Sequence, residues 1–253
     1  MGADAAGART AIREALGVYA AVTVATVAIS AAGRLPGLGD YVHLAVGVLF
    51  LSAAVHMAGR HPDGLRRYGL QLGGLLEPPE EAPGGPWASL VDLARALTRA
   101  AGPALRELAV ALAVALLVFP PFTLGFYLWH RPQAAFELTL PDALPSYLLS
   151  QLLVVALPEE AFFRGYLQGR LTDARPRRVR VLRAELSLPA LLGTSALFAL
   201  IHFAVDLNPT RLAVFFPSLL FGWLRELRGG IGAAVGFHAL CNLLSDVLVR
   251  SWL

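Results

Sequence analysis

Seven stretches of this chain are apolar over nearly the ~20 residues that a helix needs to cross hydrocarbon. They lie near 15–32, 42–59, 108–129, 144–165, 188–206, 210–227 and 230–249. A backbone in lipid must satisfy its N–H and C=O groups internally, so apolar runs of this length are read as helices. Composition agrees: of 253 residues 56% are hydrophobic and 15% charged, with a mean hydropathy of +0.59, where a soluble domain carries roughly a quarter charged residues. The first stretch follows Arg9 and Arg13 and ends in SAAG, like a secretory leader. Six further spans favour an uncleaved anchor. The expected fold is all-α, a polytopic membrane bundle of about seven transmembrane helices in a single domain, 1–253.

All 21 basic residues are arginines. The N-terminal tail, the segment after the second span, the stretch Arg164–Arg183 and the segment after the sixth span together hold 17 of them; the alternate segments hold only Arg34, Arg131, Arg211 and Arg250. Positive charge is retained in the cytoplasm, which sets the N-terminus inside and the C-terminus outside. The basic balance therefore reflects topology, and no nucleic-acid partner is expected. The Arg-only, Ala/Leu/Gly-rich composition suggests a GC-rich bacterial genome, hence the bacterial inner (cytoplasmic) membrane. The single Cys241 allows no intrachain disulfide.

Residues 1–107 read as two spans plus a cytoplasmic insert, and 108–253 as the part that carries chemistry. The insert contains a linker, EPPEEAPGGP. After it, Leu90, Leu93, Ala94 and Leu97 recur at helical spacing opposite Arg95 and Arg99. This favours an interfacial helix slightly over an extension of the third span. Residues 171–187 read as a short basic loop at the lipid headgroups.

The polar residues at membrane depth are the informative ones, because charges there are costly and pair or act. In LPEEAFFRGYLQ (157–168), Glu160 and Arg164 are four apart with the acid first, the favourable same-face pair. Neighbouring helical residues diverge by about 100°, so Glu159 faces elsewhere as a free carboxylate and does not share Glu160's pocket. Pro158 adds a bend, which is tolerated where a helix lines a cavity. In SALFALIHF, Phe198 and His202 share a face, and in GFHALCNLLSD so do His238 and Asn242, with Asp246 continuing the stripe. His43, His56 and His130 are read as packed residues. On the residues alone, such a set suits the ion or proton relay of a transporter better than an enzyme. No inverted repeat favours transport.

The spacing of EEAFFRG, FALIH and HALCN fits E-E-x-x-x-R, F-x-x-x-H and H-x-x-x-N in that order, over about residues 144–246. In this it resembles the CPBP family of intramembrane proteases (glutamic type), which includes CAAX-prenyl endopeptidases and bacteriocin-processing relatives. The resemblance implies an endopeptidase acting on a membrane-associated protein or peptide. Glu159 and His202 would activate water, His238 and Asn242 would face the scissile carbonyl oxygen, and Glu160, Arg164 and Phe198 would support them. It implies no cofactor. One Glu and two His could instead form a His₂Glu zinc set, but H-E-x-x-H is absent. The span limits place His202 about two turns nearer the outside than Glu159; a fourth span reaching Arg170 removes most of that gap.

Overall fold

The computed structural model describes residues 2–70 and 86–253. The chain runs through α1 (Gly2–Ala32), α2 (Val42–Gly59), the single turn α3 (Gly64–Arg67), α4 (Pro86–His130) and α5 (Leu144–Ala174). A hairpin of β1 (Val179–Val181) and β2 (Ala184–Leu186) follows, then α6 (Leu188–Asp206), α7 (Phe215–Arg228) and α8 (Gly232–Trp252). Among the described residues, six of these helices (α1, α2, α4, α5, α6 and α8) are long and apolar enough to cross a membrane. The fold is the expected all-α polytopic bundle, with the second and fifth spans at their expected limits.

The sixth expected span, 210–227, is a correction. Pro209–Val214 forms a 3₁₀ turn, and α7 has only 14 residues, a rise of about 21 Å against a hydrocarbon core of ~30 Å. Pro209 opens the turn and Arg225, Glu226 and Arg228 close the helix, so the apolar length between them is short. Yet α7 still returns the chain to the end of the bundle where α1 begins. There Arg225 Nη2 donates to the carbonyl of Arg67 at 3.3 Å, and Glu14 accepts from Arg170 at 2.9 Å and meets His61 at 3.0 Å. At the opposite end the Ser251 carbonyl and hydroxyl accept from Glu137 and Thr139. The two termini therefore lie at opposite ends, as the arginine distribution requires.

A second correction concerns residues 86–107. They continue α4 as one 45-residue helix through Pro103, Pro120 and Pro121, so no separate interfacial helix precedes the third span. Arg228 binds Glu107 at 2.6 Å and ties this extension to the end of α7. The apolar positions Leu90, Leu93, Ala94 and Leu97 lie outside the described side chains, and all but the last residue of the expected linker lies outside the described residues. The expected basic loop contains the hairpin, with Arg180 opposite Glu185. The Trp223 indole donates to Val181 O, and Arg178 binds Glu226, docking the hairpin on α7.

At the centre is the lower half of α5, whose residues 160–169 are all buried. Phe162, Phe163 and Tyr166 pack there with Phe50 of α2, Phe198 of α6 and Phe221 of α7. Two π segments, Gln151–Ala156 and Ala161–Leu167, flank Leu157–Glu160. The first has a local reason. In an α register the carbonyl of Val154 would look for the N–H of residue 158, which is proline and has none. An i→i+5 pattern steps past it. Gly47 of α2 packs against that carbonyl so closely that a Cβ there would sit 2.6 Å from Val154 O. Gly47→Ala is expected to cost about 1–3 kcal/mol, as overpacking does, lowering Tm by roughly 3–10 °C in a thermal melt of purified protein.

Candidate active site

Glu159 and Glu160 leave α5 on different sides, as successive helical residues must. Glu160 is fully buried and accepts a hydrogen bond from Arg164 Nε at 3.0 Å, the expected i,i+4 pair. The guanidinium also donates to Ser218 Oγ of α7 at 3.0 Å. Its carbon lies 4.8 Å from the Phe198 ring centroid and 5.6 Å from that of Phe221. Aromatic faces thus stabilise a cation that no solvent reaches.

His238 links this pair to the other carboxylate. Its Nδ1 lies 2.9 Å from Glu160 Oε1. A carboxylate held by Arg164 can only accept, so Nδ1 carries the proton there. In the neutral ring the other nitrogen, Nε2, then presents its lone pair, 3.8 Å from Glu159 Oε2. The Phe221 ring lies nearly parallel to the imidazole, at 4.7 Å and 13°. The expectation that the two acids occupy separate pockets needs amendment: they face opposite edges of one ring.

His202 arrives from α6 in the same sense. Its Nδ1 is 2.8 Å from the Phe198 carbonyl one turn earlier, which can only accept, so this nitrogen also carries its proton. The Phe198 ring packs on the imidazole at 4.4 Å. His202 Nε2 points back to Glu159 Oε2 at 3.9 Å. The expected depth gap between these two residues is absent because α5 extends to Ala174.

Three lone pairs therefore converge: Glu159 Oε2, His202 Nε2 and His238 Nε2. Separations of 3.8 and 3.9 Å exceed a direct hydrogen bond and suit a bridge through one water. Glu159 Oε2 is buried and makes no hydrogen bond among the described groups. Among the described residues, no group of three or more His, Cys, Asp or Glu is arranged to hold a metal ion. Asn242 sits one turn above His238, where its Nδ2 donates to Gln151 Oε1 at 2.8 Å. Asp246 continues the stripe only to bind Arg250 at 2.8 Å, apart from the site. His130 packs on Phe126 at 4.3 Å.

Sequence reasoning did not single out Gln151, Ser218 or Phe221. Gln151 was findable as the only amide in LPSYLLSQLLVVA. Ser218 and Phe221 carry no local signal and become visible only when α7 packs on α5.

Apolar spans around a carboxylate, two imidazoles and an amide define an integral membrane protein with a polar side-chain cluster inside it. Residues 141–244, less than half of the chain but including every residue of this site, match the Rce1-like family, described as type II CAAX prenyl endopeptidase Rce1-like. The match over that region is in line with the CPBP resemblance, and the family it names is one of endopeptidases. Neither the curated proteins nor the solved structures give a match.

Proposed function

We propose that this protein is an intramembrane endopeptidase of the glutamic type, hydrolysing a peptide bond in a membrane-associated protein or peptide, in a bacterial cytoplasmic membrane. The observation that carries this is the convergence of Glu159 Oε2 with the Nε2 atoms of His202 and His238 at 3.9 and 3.8 Å. A water has two protons to donate, and three acceptors face it. It can satisfy two, and the third is a seat for a proton.

In the proposed reaction, the water oxygen attacks the scissile carbonyl carbon while Glu159 takes its proton, general-base catalysis by a positioned carboxylate. The carbonyl electron pair moves onto oxygen, where the Asn242 amide N–H donates to it. When the tetrahedral intermediate collapses, the C–N bond breaks and the proton held by Glu159 passes to the leaving nitrogen. The products are a new carboxylate and a new amine. His202 holds the water against Glu159. His238 stands between the water and the Glu160–Arg164 pair, and once protonated on Nε2 it can donate to the developing oxyanion.

In this reading the water is activated by side chains alone. Cleavage is therefore expected to survive exhaustive chelation of purified protein, and loss of cleavage restored by zinc would replace the mechanism with a metal-assisted one. The substrate is to be sought by comparing the termini of membrane proteins in cells that carry the wild type or Glu159→Gln. Termini present only with the wild type support the proposal, and identical termini overturn it.

A further inference from the structure

Asn242 does not stand alone. Its Nδ2 donates to Gln151 Oε1 at 2.8 Å, and the residue one turn before Gln151, Tyr147, reaches the Asn242 backbone carbonyl through its hydroxyl at 3.5 Å. A single turn of α5 thus grips α8 at the position of the amide. We propose that Gln151 is a positioning residue of the site: it fixes the orientation of the Asn242 amide so that an N–H, rather than the C=O, faces the scissile carbonyl oxygen.

A primary amide is two-faced. One edge donates two hydrogens and the other only accepts. In a dry site the wrong edge would place one oxygen against another at the moment charge develops, so the orientation matters more than proximity. With its nitrogen donating to Gln151 Oε1, Asn242 has one N–H committed and keeps its second for the substrate. Gln151 is half-buried in the apolar upper part of α5, and among the described groups Asn242 is the only hydrogen-bond partner of its side chain.

The π segment explains how Gln151 comes to be there. Two α turns span about seven residues, whereas Gln151 and Glu159 are eight apart. A segment with i→i+5 bonds takes up an extra residue, and Gln151–Ala156 is such a segment. It turns Gln151 toward the side of α5 that carries Glu159, two turns away, and α8, packed along this segment, meets it there with Asn242, one turn from His238. The sites pair in two rungs, Glu159 with His238 and Gln151 with Asn242. The helix is widened where an unwidened one would have turned Gln151 away.

This inference rests on the proposed function, and the test separates the two. Full-length wild type, Glu159→Gln, Gln151→Met, Gln151→Glu, Asn242→Ala and the Gln151→Met/Asn242→Ala double variant are reconstituted in liposomes. They are assayed on an internally quenched peptide ending in a CAAX sequence, in farnesylated and unmodified forms. Gln151→Met keeps the length and loses the acceptor, so kcat is expected to fall about ten-fold or more, with KM within a factor of two. Gln151→Glu, which can only accept, is expected to recover most of that loss. In the Asn242→Ala background, Gln151→Met is expected to change kcat less than two-fold, because its effect acts through an amide already gone.

Wild-type kcat in a folded Gln151→Met protein would overturn the inference while leaving the proposed function intact. So would undiminished effects in the double variant. A Glu159→Gln protein that cuts either peptide as well as the wild type does would overturn the proposed function and this inference with it.

Discussion

Glu159→Gln protein is expected to insert, fold and melt like the wild type, yet to turn over substrate about 10²–10⁴-fold more slowly, the range a positioned general base contributes. The substitution keeps the volume and removes the ability to hold a proton. Glu159 Oε2 makes no direct hydrogen bond to the described residues, so the substitution breaks none there. Steady-state turnover beside a thermal melt checks both halves. A loss of folding with the loss of activity would mean that Glu159 is part of the scaffold.

The neighbouring residue behaves in the opposite way. Glu160→Ala is expected to reduce folded yield and to abolish activity together. It leaves the fully buried Arg164 without its carboxylate, and removing one partner of a buried pair costs about 3–5 kcal/mol. It also releases Nδ1 of His238, so the ring loses the contact that fixes which nitrogen faces Glu159. Folded yield, measured by the monodisperse fraction in detergent, is the test. A Glu160→Ala protein that melts with the wild type would show that Arg164 is stabilised by Ser218 and the aromatic rings alone. Two adjacent codons thus separate chemistry from stability.

Much of this was legible in the chain because bilayers simplify the code. The second and fifth spans, 42–59 and 188–206, needed only apolar length. The i,i+4 spacing of Glu160 with Arg164 announced their pair, since that relation lies within one helix. The residues expected to meet across helices, Glu159, His202 and His238, were named from their polarity in apolar spans and from the three motifs. What was not legible depends on the angles and depths of neighbouring rods. Phe221 stacks on His238 only because α7 crosses there, and nothing in FFPSLLFGW distinguishes that ring from others. The shortness of α7 was hidden by the apolar run 212–224, which reads as a span although Pro209 before it and the charged end after it confine it to a turn and a helix of 14 residues. The sharing of His238 between both carboxylates was hidden by a sound argument about divergence on α5, which says where two side chains start and not what can fill the space between them.

That shared imidazole has an evolutionary consequence. A lineage could shed the proposed hydrolysis in one step at position 159 and retain an intact lipid-embedded shell free to be recruited as a passive receptor. No equally short route passes through position 160, where loss of the carboxylate is expected to cost the shell itself. Inert descendants of this architecture should therefore carry their lesion on the side of the ring that faces Glu159 and keep the side that faces Glu160 untouched.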